Sequence, residues 1–212
     1  NMTDAVYASL REAIFSREFA PGQRIDVDGL RQQLGVSRTP LKDALNRLAM
    51  EGLIRVLPRQ GTFVTTLQPE EMADICDVRV VLEQYAVERG IARITPTHLE
   101  RLRAHVRGLR ETLDANGHCC DHLGFVAHDH GFHCVIVAAA GSPRLEEVYE
   151  ALNVHIQVAR VYYMDADKRI DQVCTEHMAI LRAYEARDVE AAKAAMSIHL
   201  ATSKQAVLER LR

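Results

Sequence analysis

The chain has 212 residues, 48% of them hydrophobic and 26% charged, which is typical of a folded protein large enough for two small domains. Its apolar runs are shorter than the roughly 18 residues that a membrane span needs, and its five cysteines form no CxxC pair. We therefore expect a cytoplasmic protein with reduced thiols and no membrane partner. The net charge is −3, yet residues 1–66 carry nine basic and seven acidic side chains while residues 67–212 carry 17 and 22. The sign of this difference suits phosphate contact by the first third of the chain.

The first third predicts, in chain order, a helix, a short helix, a tight turn, a longer helix and a β-hairpin. Apolar periodicity predicts the helices. Short runs of residues that favour strands, on either side of a Pro-Arg-Gln-Gly turn, predict the hairpin. Gly35 breaks the second helix, and Ser37 is expected to cap the third. This order is that of a winged helix-turn-helix. The elements are expected at residues 4–17, 27–34, 38–51, 53–57 and 62–65.

The remainder of the chain predicts about six helices, separated by proline, glycine and asparagine signals. Gln68-Pro69 marks a linker, so we expect two domains, residues 1–67 and residues 68–212. The predicted fold class is mainly α, with an N-terminal winged helix-turn-helix and a C-terminal all-helical bundle. The helices are expected near residues 70–93, 96–115, 121–140, 144–164, 167–186 and 189–211.

Side chains suited to reading DNA lie at the start of the third helix and at the hairpin tip. Arg38, Thr39 and Lys42 follow the tight turn, and the N-terminal end of a recognition helix enters the major groove. Arginine pairs with guanine edges, and hydroxyls and cations bind phosphates. The hairpin tip, Arg59-Gln60-Gly61, is expected to place a cation and an unhindered backbone where a minor groove or phosphate would lie. The alternative is a charged, solvated helix followed by an ordinary hairpin.

These residues also carry a family resemblance. LGVSRTPLKDALNRL at 34–48, EGL at 51–53 and RQGTFV at 59–64 closely resemble the DNA-binding domain of GntR-family regulators. PGQRI at 21–25 is similar to that family's turn before the second helix. The helical remainder resembles the FCD effector domain of the FadR subfamily, and six helices rather than seven suggest its VanR-like branch. The resemblance implies a regulator that binds double-stranded operator DNA and is controlled by a small organic acid. Because operators are symmetric and have paired half-sites, we also expect a homodimer.

By this resemblance, five residues occupy positions that contact the operator: Arg38, Thr39, Lys42, Gln60 and Gly61. The chain departs from the family pattern at two positions. Asp28 lies where some members have an arginine, and Lys42 replaces a usual arginine. Because lysine lacks the bidentate fork of arginine, we expect weaker base discrimination at Lys42.

Four polar residues predict a metal site inside the helical bundle. Asp129 and His133 lie one turn apart in the middle of an apolar helix face, and His177 and His199 are each centred in the apolar stripe of a later helix. Such groups are costly to bury without partners, and a carboxylate with three imidazoles suits a divalent ion. A hydrogen-bonded core histidine is the alternative for any one of them.

The resemblance implies the same ligands, since metal-binding FCD domains use Asp-x₃-His and two later histidines. We expect zinc, with nickel or manganese as alternatives. A competing cluster is His118-Cys119-Cys120-Asp121-His122 beside Gly117, but adjacent cysteines match structural zinc spacing poorly.

An effector site is predicted beside the metal. Arg79 lies on an apolar stripe, and Arg79-Val-Val-Leu-Glu83 resembles the opening motif of the FCD domain, where this arginine is associated with the effector cavity. A guanidinium beside a metal suits a small carboxylate, although an ion pair with Glu83 is an equal alternative. His155 is a second candidate for the cavity, or else a core histidine.

Two other functions remain open at this point. A metal-dependent enzyme could use the Asp/His₃ centre to activate water, but no second acid–base pair stands out and the N-terminal reader would have no role. A regulator could instead sense the metal itself. The residues favour a DNA-binding regulator, with repression as the expected mode.

Overall fold

The computed structural model describes residues 1–163 and 166–211, and the chain divides into two compact units, Asn1–Gln68 and Pro69–Arg212. The first unit contains the predicted helices and hairpin. In this unit the apolar face of α1 packs against that of α3 and buries Leu10, Ile14 and Leu48 almost completely. Its elements are α1 (Met2–Phe15), β1 (Arg24–Ile25), α2 (Val27–Leu34), α3 (Arg38–Met50), β2 (Ile54–Leu57) and β3 (Gly61–Val64).

A left-handed residue makes the turn between α2 and α3. Gly35 is the C-cap of α2 and has φ 64°. Glycine adopts this left-handed backbone conformation without steric cost. Ser37 occupies the N-cap position of α3, as expected, but its side chain makes no capping hydrogen bond to the described helix. The predicted helix-turn-helix geometry therefore depends on the glycine rather than on the serine hydroxyl.

The sheet has three antiparallel strands in the order β1-β3-β2, with β3 in the centre. Arg24 pairs with Phe63 and Ile54 pairs with Val64. The prediction of a turn at 21–25 is therefore wrong for its last two residues, which form β1. A two-residue strand is too short to show an alternating pattern in the sequence.

The second unit is a bundle of helices, which confirms the prediction. Helix α6 packs against α4, α5, α7 and α8, and α9 packs against α4, α7 and α8. Phe132 and Ile136 of α6 are fully buried in the core that these helices share. Over the described residues the helices are α4 (Pro69–Gly90), α5 (Pro96–Glu111), α6 (His122–Ala139), α7 (Pro143–Tyr163), α8 (Ala166–Ala186) and α9 (Val189–Leu211), with a 3₁₀ turn at Ile91–Arg93.

The prediction of a helix over 96–115 is too long, since α5 ends at Glu111. A local turn replaces its last residues: the Asp114 carboxylate accepts hydrogen bonds from the backbone N–H groups of Asn116 and His118 at 2.8 and 2.9 Å. Gly117 then takes φ 82°. Aspartate favours such turns because its short side chain competes with helical hydrogen bonding.

Candidate DNA-binding surface and metal centre

The N-terminal end of α3 presents Arg38, Thr39 and Lys42 to solvent. Their side chains make no hydrogen bond or ion pair with the part of the chain that the structure describes. Arg47, further along α3, differs because it pairs with Asp4 of α1 at 3.2 Å and so ties the two helices together. The cations at the start of α3 are thus available to a ligand, whereas Arg47 is engaged in the fold.

The hairpin tip places Gln60 in solvent and requires a glycine at position 61. Gly61 has φ 126°, and a Cβ atom there would lie 2.8 Å from Nε of Arg24. Sequence reasoning missed Arg24 as a neighbour of the tip, because this contact exists only through the pairing of β1 with β3. The side chain of Arg24 therefore lies beside Gly61, next to the exposed residues Arg59 and Gln60 of the tip.

In the helical unit, the four predicted metal ligands converge. One ligand atom from each of Asp129, His133, His177 and His199 lies within 4.8 Å of the other three, and all four residues are buried. Nε2 of His199 is 3.1 Å from Nε2 of His133 and 3.4 Å from Nε2 of His177. Oδ1 of Asp129 is 3.4 Å from Nε2 of His177. Helices α6, α8 and α9 thus bring one carboxylate and three imidazoles to a single point.

Two carboxylates behind the rings orient the imidazoles. Nδ1 of His133 lies 2.6 Å from Oε2 of Glu83, and Nδ1 of His199 lies 2.8 Å from Oε2 of Glu176. A carboxylate only accepts hydrogen bonds, so in the neutral form of each ring Nδ1 carries the proton and Nε2 turns a lone pair inward. The two Nε2 atoms face each other at 3.1 Å, an arrangement that suits a shared cation.

His177 is held by stacking rather than by a carboxylate. Its ring lies nearly parallel to that of Phe132, with the ring centroids 4.1 Å apart. Its buried Nδ1 has no hydrogen-bond partner among the described residues, while its Nε2 points toward Asp129 and His199. The aromatic contact therefore sets the ring plane, and the inward Nε2 faces the other ligand atoms of the candidate metal centre.

The charges at this centre suit a cation. Burial lowers the pKa of His133 well below its ordinary value, and the positive charge of Arg79 lowers it further. Burial also lowers the pKa of His177. Burial alone would raise the pKa of Asp129, but the paired guanidinium of Arg160 favours the carboxylate and the pKa is held below its usual range. Neutral imidazoles and an ionised carboxylate are the protonation states that metal ligation requires.

Arg79 forms the ion pair with Glu83 at 2.6 Å and also lines a cavity between α4, α7 and α9. Arg160, which sequence reasoning missed, lines the same cavity and pairs with Asp129. Each guanidinium keeps one buried nitrogen without a partner in the described structure, Nη2 of Arg79 and Nη1 of Arg160. Arg79 can therefore form an ion pair with Glu83 and line the cavity at the same time. A sequence signal for Arg160 exists, since it is a charge on the apolar side of α7.

The other two predicted features lie elsewhere. His155 lines a separate groove with Glu71 and Asp74, not the cavity of Arg79 and Arg160. The segment His118–His122 does not bring three ligand atoms together; within the described residues, the second converging group is His130, Cys134 and Glu150.

A winged helix-turn-helix with unpaired cations on its recognition helix defines a DNA-binding transcription regulator. Residues 2–64 match the family of bacterial regulatory proteins named gntR, and residues 74–202 match the FCD domain. The chain belongs to the gntR family and carries an FCD domain, which confirms the resemblance. Because members of this family are regulators, the alternative of a metal-dependent enzyme is set aside.

Similar proteins agree with this assignment. The uncharacterized HTH-type transcriptional regulator YdhC of Bacillus subtilis (strain 168) is 29% identical over 193 residues, 91% of this chain and 85% of the relative. The HTH-type transcriptional repressor RspR of Escherichia coli (strain K12) is 25% identical over 204 residues, 95% and 87% of the two chains. The crystal structure of a GntR transcriptional regulator from Rhodococcus sp. RHA1 shares the fold, with a TM-score of 0.85 at 23% identity over 99% of each chain. No helix within the described ranges is long and apolar enough to cross a bilayer.

Proposed function

We propose that the protein is a homodimeric repressor whose affinity for operator DNA is controlled by a small organic acid bound beside a divalent metal ion. The winged unit, residues 1–67, reads DNA, and the helical unit, residues 68–212, binds the effector and dimerises. The observation that carries this proposal is the convergence of three inward Nε2 atoms on a buried carboxylate. The repressor mode follows the name of the Escherichia coli relative.

Asp129, His133, His177 and His199 would hold the metal. With zinc–nitrogen bonds of about 2.0–2.1 Å, neighbouring ligand atoms of a tetrahedral site lie roughly 3.3–3.4 Å apart. Three of the ligand separations are 3.1, 3.4 and 3.4 Å, and all four ligand atoms lie within 4.8 Å of one another, so the donor set suits zinc, and nickel and manganese are the alternatives. When bound, the ion would supply Lewis acidity, and a carboxylate oxygen of the effector would bind as a fifth ligand beyond the four protein side chains.

The charge balance favours an anionic effector. With neutral imidazoles, the charged side chains around the centre cancel in pairs: Arg79 with Glu83, Arg160 with Asp129, and Arg169 with Glu176. A divalent ion would therefore leave about two positive charges buried, which is costly without an anion. The unpartnered nitrogens of Arg79 and Arg160 are donors suited to a carboxylate. His155, in its separate groove, is a lesser candidate for effector binding.

At the DNA end, Arg38, Thr39 and Lys42 would enter the major groove, and Gln60 with Gly61 would contact the backbone or minor groove. Two such heads in a dimer read two half-sites of a palindrome. An effector changes operator affinity only by the difference in its own affinity for the two protein conformations. Release of DNA on effector binding therefore requires tighter effector binding to the DNA-free form.

One operator-binding titration tests the proposal. Fluorescence anisotropy with a labelled palindrome from beside the protein's own gene is measured with chelator, then with added Zn²⁺, then with small carboxylic acids. Release of DNA only when metal and acid are both present supports the proposal. Release of DNA by metal alone would instead mean that the protein senses the ion itself. Operator affinity that changes with neither metal nor acid would contradict effector control. The Arg79→Met variant should lose the response to acid while it retains the metal and the operator.

A further inference from the structure

A groove with a basic rim runs along the surface of the helical unit between α5 and α8. Each wall contributes residues at positions i, i+3, i+4 and i+7 of its helix, so one face of each helix lines the groove over roughly 10 Å. Its volume is about 310 Å³, at the small end of the range for small-molecule sites. The lining residues are Arg103, Val106, Arg107 and Arg110 of α5 and Met178, Leu181, Arg182 and Glu185 of α8.

The floor of the groove is apolar, whereas its rim is charged. Val106 and Leu181 are buried in the core that the helices share, and Met178 packs against this core while it remains partly exposed. The four arginines of the rim all reach solvent. A ligand in the groove would therefore meet hydrocarbon on one side and guanidinium groups on the other.

The rim carries more positive charge than nearby carboxylates neutralise. Residues 67–212 are acidic as a whole, with 17 basic and 22 acidic side chains, yet four of the basic side chains lie in this groove. Nε of Arg103 lies 2.9 Å from Oε1 of Glu185, and Nη2 of Arg107 lies 3.0 Å from Oε1 of Glu100. Among the described residues, two carboxylates thus pair with the rim, which leaves a surplus of two positive charges.

The two cations without a carboxylate partner lie on opposite walls. Arg182 of α8 makes no hydrogen bond or ion pair with the part of the chain that the structure describes. Arg110 of α5 hydrogen-bonds to the thiol of Cys174, and burial raises the pKa of this thiol, so the partner is neutral. Guanidinium groups bind carboxylate and phosphate oxygens through two parallel N–H···O bonds. One such group on each wall therefore suits a small anion.

We propose that this groove binds a small amphipathic anion, in which one carboxylate or phosphate group is joined to an apolar body. The anionic group would lie between Arg110 and Arg182, and the apolar body would cover the floor. A long polyanion fits less well, because the carboxylates of Glu100 and Glu185 lie at one end of the groove and would repel a charged chain that continued past it.

The groove is separate from the sites of the proposed function. The described residues that line it are neither candidate metal ligands nor part of the cavity of Arg79 and Arg160. Helix α8 contributes to both regions, with His177 at the metal centre and the next residue, Met178, in the groove. The proposal therefore depends on neither the metal nor effector control.

Isothermal titration calorimetry of the full-length protein, in the presence of chelator and at fixed salt, tests this site. The probes are naphthyl phosphate and naphthoate, which share one apolar body; naphthol lacks their charge, and inorganic phosphate lacks their apolar body. At least one of the two probes should bind once per chain and roughly tenfold or more tightly than both naphthol and inorganic phosphate. The tighter probe identifies the anionic group. Equally tight binding of naphthol or of inorganic phosphate would overturn the proposal.

Variants of the rim locate the bound anion. Arg182→Gln removes an exposed cation without a partner and should weaken binding of the tighter probe roughly tenfold or more, as should Arg110→Gln. Arg101→Gln is the matched control, since Arg101 is exposed on α5 but lies outside the groove. Arg79→Met should leave the affinity unchanged, and weaker binding in that variant would place the anion in the buried cavity instead. That result, or unchanged affinity in Arg182→Gln, would contradict the proposal.

Two further measurements test larger occupants of the groove. Hexaglutamate, an acidic peptide, should bind more weakly than the tighter probe, and stronger binding would make the groove a docking site for an acidic chain. Arg182→Glu should leave the sedimentation coefficient of the protein unchanged, and a lower value would make the groove a contact between two copies of the chain. Either contrary result would rule out a small anion as the natural occupant.

Discussion

Nδ1 of His133 lies 2.6 Å from Oε2 of Glu83, and both side chains are fully buried. Glu83 also accepts hydrogen bonds from Arg79 at 2.6 Å and from the hydroxyl of Tyr149 at 3.2 Å. One carboxylate thereby orients a candidate metal ligand and a guanidinium that lines the cavity between α4, α7 and α9. This shared partner links the two candidate binding elements of the helical unit.

The Glu83→Gln substitution should weaken metal binding at the buried centre by about 10–100-fold, the usual effect of removing a carboxylate behind a ligating histidine. The amide keeps the size of the side chain but no longer fixes the proton on Nδ1. Competition with a metallochromic chelator measures the change. Glu88→Gln is the matched control, since Glu88 lies on the same helix but is exposed and pairs with Lys193. Equal affinities in the two variants would contradict an orienting role for Glu83.

Removal of metal should lower the melting temperature of the protein, and added Zn²⁺ should restore it. An ion that binds only the folded state stabilises it by mass action, and the buried Nε2 atoms of His133 and His199 already lie 3.1 Å apart, where they could share it. Differential scanning fluorimetry with chelator and then Zn²⁺ measures the effect.

His177→Ala should abolish stoichiometric metal at the buried centre, because it removes one of three imidazole ligands. Elemental analysis of the purified variant measures the loss. His118→Ala is the control, since His118 is exposed in the loop after α5 and should not affect metal content. Full occupancy of the buried centre in His177→Ala would reject this ligand assignment.

Arg38→Ala should weaken operator binding by ~1–3 kcal/mol and relax base preference at one position, which is the scale of one good base contact. Lys42→Ala should weaken binding similarly across sequences and lower the salt slope by about one, as expected for a phosphate contact. Gel-shift titrations at several salt concentrations measure both effects. As a control, Arg144→Ala removes an exposed cation from the helical unit and should leave operator affinity unchanged. If Arg38→Ala also leaves operator affinity unchanged, Arg38 does not contact a base.

Gly61→Ala should destabilise the three-stranded sheet by roughly 1–3 kcal/mol, because alanine rarely adopts φ 126° and its Cβ would press on Arg24. Faster hydrogen exchange at the Val64 amide, which donates to the carbonyl of Gln23, reports the loss. Gly35→Ala also places alanine at positive φ but meets no atom within 4 Å, so it should cost less. The added substitution Arg24→Ala should recover part of the loss at Gly61, and no recovery would mean that backbone strain alone is responsible.

The sequence by itself was sufficient for the winged helix-turn-helix, the helical bundle and the inward direction of Asp129 and His133. Each of these follows from local rules: apolar periodicity, glycine and proline signals, and the 100° turn per residue of a helix. The same rules failed where a two-residue strand or an aspartate turn was too short to show a period, as at Arg24 and after Glu111.

Only the tertiary structure decided which side chains support the candidate metal centre. Glu83 is 50 positions from His133, Glu176 is 23 from His199, and Arg160 reaches Asp129 from another helix. A helical period gives the direction of a side chain but not the helix that packs opposite it, because that depends on how six apolar faces fit together. That packing also explains why Arg79 both pairs with Glu83 and lines the cavity, which its position in the sequence does not show.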